Sequence, residues 1–310
     1  MSAPAPSLTI LPSTSSRMVE AVFWMLGSAL VFAAGNAAIR HVTLELHPFQ
    51  VVFFRNLFSL MIMLPWALTS GAATFRAVAS GGRMGLYVSR SLTSLVAMMA
   101  WFYGVAHIPL ATATAVSFAT PLFVAIGAAL FLGESVRMRR WGAIGVGFAG
   151  VLIVLRPSGG DAIGEGALLA LSMLLLHCMT AAATILQMRT QARTDGTAVV
   201  VTYLSLFVTP MALVPALFVW VWPSWTMLGW LAALGALLTL GQLAMTRAMA
   251  LAEASTMMPY DYARLPFSAV IAWLAFGETM DAWGWAGATV IAGSAVYTMH
   301  RDATQGRRGT

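Results

Sequence analysis

The chain has 310 residues, of which 59% are hydrophobic and only 9% charged, against roughly 25% charged in an average soluble domain. No aqueous globule of that length covers its surface with so few charges, so the partner that composition demands is the lipid bilayer. The net charge of +6 comes from 17 Arg and no Lys; most sit in short loops, where membrane topology accounts for them and nucleic acid is excluded as a partner.

Residues 1–17, MSAPAPSLTILPSTSSR, are rich in Pro and Ser and read as a disordered cytoplasmic tail. A secretory signal is excluded, because the apolar run that follows is too long for a signal core and lacks a small-x-small cleavage site. A hydrocarbon core about 30 Å thick needs roughly 20 apolar helical residues. Ten such runs follow, at 18–40, 48–69, 84–106, 110–132, 140–156, 164–188, 198–222, 226–250, 254–276 and 282–299. Their length and their Leu, Ala and Met content predict helices, not the short alternating strands of an outer-membrane barrel. A second cytoplasmic tail is expected at 301–310.

The runs contain a repeat. FVAIGAALFLGE, Phe123–Glu134, recurs 144 residues later as FSAVIAWLAFGE, Phe267–Glu278, with Phe, Ala, Ala, Leu, Gly and Glu at the same offsets. Each Gly-Glu pair is followed by Trp-Gly-x-x-Gly, at Trp141, Gly142 and Gly145 and again at Trp283, Gly284 and Gly287. A repeat of about five helices places its second copy upside down. The expected fold is therefore an all-α polytopic membrane protein with ten transmembrane helices in two inverted five-helix repeats, 18–157 and 158–300. With the amino terminus in the cytoplasm, eleven Arg fall in inside segments and two, Arg40 and Arg156, in outside loops. That asymmetry predicts both termini cytoplasmic.

Chemical motifs are few. The single cysteine, Cys178, permits no internal disulfide and no thiol-based zinc site. Gly145 to Gly150 spells GxGxxG, but it lies inside a membrane span and not between a strand and a helix, so it is no dinucleotide fingerprint. No HExxH, metal-spaced acidic pair, Ser, His and Asp arrangement or P-loop is found. The chain reads as a non-enzyme without cofactor or metal, and a transporter of this kind runs on gradients. Glu134 and Glu278 end their spans at the interface and read as caps.

Ionisable groups inside spans carry more information, because each costs about 2.5 to 3.5 kcal/mol at a helix centre unless paired or wetted. Four Arg qualify: Arg55, Arg90, Arg247 and Arg264. Arg90 and Arg247 lie within about two turns of the cytoplasmic ends and are expected to snorkel. Arg264 sits near the middle of the ninth span, three residues after Asp261, within the segment Pro259-Tyr260-Asp261-Tyr262-Ala263-Arg264-Leu265-Pro266. Two prolines bracket aromatic and charged groups there, so the helix is expected to break and its polar groups to form either a cavity wall or a structural pair. The equivalent first-half segment holds Ser117, Phe118, Ala119, Thr120 and Pro121, polar but uncharged. Trp101 and Tyr103 at the outer end of the third span fit an aromatic belt or a lining. His177, Gln242 and Asn36 fit interhelical contacts or a polar cavity, and His177 could also carry a proton.

Ten spans, an LGE or FGE ending the fourth helix of each half, and an Arg early in the second helix within FQVVFFRNLFSL together resemble the drug/metabolite transporter superfamily, specifically the EamA-type ten-helix exporters. The similarity covers nearly the whole chain, from about 18 to 300, and looks closest to bacterial exporters of amino acids and related metabolites, aromatic ones included. The resemblance implies an inner-membrane carrier working by alternating access, its path lined by the third, fourth, eighth and ninth helices. It singles out Trp101, Tyr103, Ser117, Thr120, Gln242, Tyr260 and Tyr262 as wall candidates, to which His177, Asp261 and Arg264 are added from the ionisable groups. Asp261 and Arg264 suit the two termini of a zwitterion. One departure is clear: four-helix relatives carry an embedded Glu in their first helix, whereas Glu20 lies near the cytoplasmic entry. The expected function is a secondary transporter or facilitator exporting small metabolites, chiefly amino acids. A drug or nucleotide-related solute is the alternative, ranked lower because only Arg264 is central. A homo-oligomer stays open.

Overall fold

The computed structural model describes residues 14–43, 45–70, 81–107, 116–117, 119–133, 138–155 and 167–276, with eight helical positions between 283 and 297. Among the described residues every regular element is a helix: α1 (Thr14–Val42), α2 (Pro48–Ser70), α3 (Met84–His107), α4 (Thr120–Phe131), α5 (Met138–Leu155), α6 (Ala167–Thr194), α7 (Thr197–Leu217), α8 (Trp225–Leu251), α9 (Ala254–Asp261) and α10 (Arg264–Phe276). Five of them, α1, α2, α6, α7 and α8, are long and apolar enough to cross a membrane. Glu134, Glu278 and most of the tenth predicted span lie outside the described residues.

Two elements differ from the expected spans for identifiable reasons. Helix α6 continues to Thr194, six residues past the end of its apolar run, because Arg189 and Gln191 beyond that point are buried against neighbouring helices. Arg189 donates to the carbonyl of Met249, and Gln191 is held by α3 through Leu86 O at 3.3 Å. Polar side chains satisfied inside the bundle let the helix run on where hydropathy alone would stop it. The predicted ninth span is divided into α9 and α10 by a turn at Tyr262 and Ala263. Pro266 has no N–H for the carbonyl of Tyr262, and its ring crowds that carbonyl. The turn closes with Ala263 N bonded to Tyr260 O at 3.1 Å.

Packing is pairwise. Helix α1 lies against α8 and α10, α6 against α3 and α4, and α2 against α7; α8 meets α2, α7 meets α3, and α4 meets α9. Exchanging α1 with α6, α2 with α7, α3 with α8 and α4 with α9 and α10 turns α1–α8 into α6–α3, α1–α10 into α6–α4 and α8–α2 into α3–α7, and returns α2–α7 and α4–α9 to themselves. Small residues make the closest approaches, as expected in lipid, where van der Waals contact and interhelical hydrogen bonds replace the hydrophobic drive. Between α1 and α8, Ser28 Oγ donates to Gly241 O at 2.9 Å. Gly147 of α5 meets the ring of Tyr262, while Gly142 and Gly145 meet nothing within 4 Å.

The tightest backbone contact is at Gly235 of α8. A Cβ there would lie 2.6 Å from the Cβ of Phe58, 3.1 Å from the carbonyl oxygen of Arg55 and 3.6 Å from the backbone nitrogen of Ser59. None of these is the free end of a side chain, so α2 itself has to move. Gly229, on the same helix, faces open space. Gly235→Ala is expected to destabilise the protein by about 1–3 kcal/mol through overpacking, while Gly229→Ala gains up to about 1 kcal/mol of helix propensity. Thermal unfolding in detergent checks the pair; a Gly235→Ala variant as stable as the parent would contradict the contact.

Candidate functional site

Helices α1, α2, α3, α6, α7 and α8, with Arg264 of α10, line a cavity of about 420 Å³. It falls within the range of roughly 300–1,000 Å³ typical of sites for small molecules. Helix α1 presents one face to it, with Phe32, Asn36, Ile39 and Thr43 at helical spacing, so the lining reaches the end of that helix. Helix α2 adds Arg55 and Asn56, α3 adds Arg90, Ser94 and Trp101, α6 adds His177, Thr184 and Met188, and α8 adds Gln242 and Met245. Of the described residues of the broken ninth span, Arg264 alone lines it. A side chamber of about 40 Å³ shares Phe32, Arg55, Asn56 and Gln242 and continues to Ser59, Ser205 and Thr239. There the hydroxyls of Ser59 and Ser205 lie 2.8 Å apart.

Opposite the Thr43 end, polar contacts seal the cavity. Asp195, buried at the turn between α6 and α7, is paired with Arg83 at 2.8 Å and accepts from Tyr87 Oη at 2.8 Å. Arg90, 1% exposed, donates through Nη1 to Gln191 Oε1 at 2.8 Å and to Val200 O at 3.4 Å. The rings of Tyr87 and Tyr203 pack at 4.6 Å. Farther out on that end, exposed Arg247 of α8 meets Glu20 of α1 at 3.0 Å. Arg90 therefore does not snorkel: its guanidinium turns inward between α3, α6 and α7.

The aromatic part of the lining has a defined posture. The rings of Trp101 and His177 lie 5.2 Å apart at an interplanar angle of 43°. His177 Nδ1 sits 2.8 Å from Ala97 O; because a carbonyl only accepts, Nδ1 carries a proton, and in the neutral ring Nε2 is left as an acceptor. Arg264 places its guanidinium carbon 5.1 Å from the centroid of Phe32, within cation–π range. Its Nη2 also binds Asp261 Oδ1 at 2.6 Å.

The structure thus brings Trp101, His177, Gln242 and Arg264 to one cavity and leaves the other sequence candidates outside its lining. Tyr103 packs with Ala170 and Leu174. Thr120 donates to Ser117 O at 2.7 Å within the turn that starts α4. Tyr260 is buried in a core cluster with Val124 and Met257, and Tyr262 in another with Ala125 and Ile144. Helices α4 and α9 do pack together, and there Tyr260 and Tyr262 share core clusters with Val124 and Ala125 of α4. The lining comes from α1, α2, α3, α6, α7, α8 and α10, and α4 contributes no residue to it. Arg55 and Arg90 are the site features that the sequence reading passed over. Their signal was present, since each is an ionisable group inside a span, but Arg90 was read as snorkelling.

Comparison with known proteins places these features in a family context. Residues 19–156 match the EamA-like transporter family. The chain is 28% identical to a riboflavin transporter of Vibrio cholerae, over 96% of this chain and 98% of that one. It is also 28% identical to an S-adenosylmethionine uptake transporter of Rickettsia bellii, over 90% and 93%. A solved crystal structure with 17% identity superposes with a TM-score of 0.80, covering 93% of this chain and 98% of the other; that likeness shows the shared fold.

The Arg264 pair yields a direct test. Its side chains are 29% and 15% exposed, so removing one partner leaves the other only partly hydrated. Asp261→Asn is expected to cost about 1–3 kcal/mol, and adding Arg264→Gln to recover part of that loss. Unfolding measurements on the two single variants and the double variant read the coupling; additive losses would show that the pair contributes nothing.

Proposed function

We propose that the chain is a small-molecule transporter of the drug/metabolite transporter superfamily, and that its cavity carries small ring-bearing metabolites across the inner membrane by alternating access; the match of residues 19–156 to the EamA-like transporter family supports this reading. Aromatic amino acids are the first candidates, moved outward by a secondary carrier or facilitator. The supporting observation is the 420 Å³ cavity, with Trp101 and His177 at one wall and Arg264 with Gln242 in the same lining. A tilted pair of rings suits a planar ring, and the guanidinium and the amide suit its polar substituents.

A second reading is a nucleotide-related or flavin-type solute. It is favoured by Arg55 and Arg90, which join Arg264 in the lining, and by relatives named for riboflavin and S-adenosylmethionine transport. Alternating access is supported by the contrast between the ends, one sealed through Asp195 and the other reached by the lining at Thr43. The swapped contact pairs of α1 with α8 and α6 with α3 support two inverted halves, 18–157 and 158–300. With both termini cytoplasmic, the sealed end is the cytoplasmic one and the structure faces outward.

Counterflow into proteoliposomes tests the function. Labelled tryptophan, riboflavin and S-adenosylmethionine are each offered against internal unlabelled solute, with and without a proton gradient. Trp101→Ala and His177→Ala are each expected to reduce flux of the accepted solute about tenfold, the effect of losing a ring-stacking contact. No flux of any of the three would remove this reading. Topology is checked separately in a Cys178→Ala background: a cysteine at Thr310→Cys should react with impermeant maleimide only from the cytoplasmic side.

A further inference from the structure

Among the described residues, three guanidiniums line the cavity, from Arg55, Arg90 and Arg264, and no carboxylate is among the lining residues. Arg264 is answered by Asp261. Asp195, the nearest acid to Arg90 through Tyr87, is already paired with Arg83. Arg90 is 1% exposed and spends only Nη1 on Gln191 and Val200; its Nε and Nη2 are buried without a partner among the described residues. Arg55 has no hydrogen bond or ion pair within the protein among those residues, and it faces both the main cavity and the side chamber. Two of the three cations are therefore uncompensated in a compartment of low dielectric.

Such an arrangement costs stability unless an anion or water completes it. The geometry of a guanidinium selects among anions: its fork of N–H donors matches two oxygens of one planar or tetrahedral group. We infer that the cavity selects a solute bearing an oxyanion, carboxylate or phosphate, which Arg55 and Arg90 bind while Trp101 and His177 hold its ring. This deepens the transport reading above and rests on the same cavity. It also orders the possible solutes by charge: an amine with the same ring is rejected, because it would place a third kind of uncompensated cation beside the first two.

Matched probes test this on the purified full-length protein by equilibrium binding in detergent. Indole-3-acetate and indole-3-acetamide share ring and shape and differ in charge; flavin mononucleotide and riboflavin differ by a phosphate. The anionic member of at least one pair is expected to bind about tenfold or more tighter, the scale of one charge-assisted contact. Preference in the indole pair alone assigns a carboxylate, and in the flavin pair alone a phosphate. Arg55→Gln and Arg90→Gln should each bring that preference below about threefold, with Arg55→Lys retaining more of it than Arg55→Gln. The wild-type comparison needs no variant, so a misfolded Arg90→Gln leaves the test intact. Equal binding within both pairs, or binding of none of the four, overturns the inference. Anion-selective binding without flux in proteoliposomes would overturn the transport reading and leave this one standing. Flux of neutral solutes without anion selectivity would do the reverse.

Discussion

A charge in a hydrocarbon layer must find a partner or water, and this chain solves that problem for each internal arginine in a different way. Arg264 binds Asp261 across the helix break. Arg189 uses a backbone carbonyl of α8. Arg247 reaches the exposed end and Glu20. Arg90 takes a glutamine amide and a carbonyl, and Arg55 takes none among the described residues. The need for a partner sets the pattern more than distance from the cavity does: Arg264 and Arg55 both line it, the first paired with Asp261 and the second without a partner among the described residues. Helix positions follow from it, since α6 must extend to Gln191 to serve Arg90 and must bring the turn at Asp195 to Arg83 and Tyr87.

The same constraint explains why one end of the bundle is closed. Asp195 draws Arg83 and Tyr87 from the start of α3, while Arg90 on that helix holds α6 and α7. These contacts tie together elements that would otherwise separate at this end. No comparable ion pair crosses the Thr43 end among the described residues; there Gln50 Nε2 donates to Val221 O at 2.8 Å, and aromatic contacts such as Phe54 with Trp220 at 5.6 Å do the packing. A charged latch at one end and an aromatic one at the other differ in how they respond to a ligand. A solute oxyanion at Arg90, as inferred above, would take Nε and Nη2 of the same guanidinium whose Nη1 holds Gln191 and Val200. Binding there acts directly on the contacts that hold α3 to α6 and α7.

The fold was legible because bilayer physics leaves few choices. Apolar runs of about 20 residues can only be helices or barrel strands, and Pro259 with Pro266 announced the break that appears at Tyr262 and Ala263. The site was less legible, for a geometric reason. A sequence places Tyr260, Tyr262 and Arg264 in one segment, but the turn between them sends the two rings toward α4 and α5 and leaves the guanidinium toward α1. Which face a residue occupies after a helix break depends on the angle of the break, and no periodicity encodes that angle. Arg90 shows a second limit. Its distance from the helix end permits snorkelling, and only the position of Gln191, 101 residues away, decides that it turns inward.

The halves share a packing plan without sharing chemistry. In the first, α2 and α3 present Arg55 and Arg90 to the cavity; in the second, α7 and α8 present Leu204, Val208, Leu238, Gln242 and Met245. The packing frame is lined asymmetrically: α2 and α3 carry two of the three guanidiniums and Arg264 of α10 the third. Arg55 and Arg90 sit on consecutive helices, so in the proposed alternating-access cycle a movement of α2 and α3 as a unit would preserve their spacing. The apolar side chains that α7 and α8 present can then slide past a ring, because van der Waals contact is tolerant of a shift. A bidentate ion pair is far less tolerant. In the proposed transport cycle, directional contacts on one set of helices and non-directional ones on another would let a single ligand stay bound while the side of access changes.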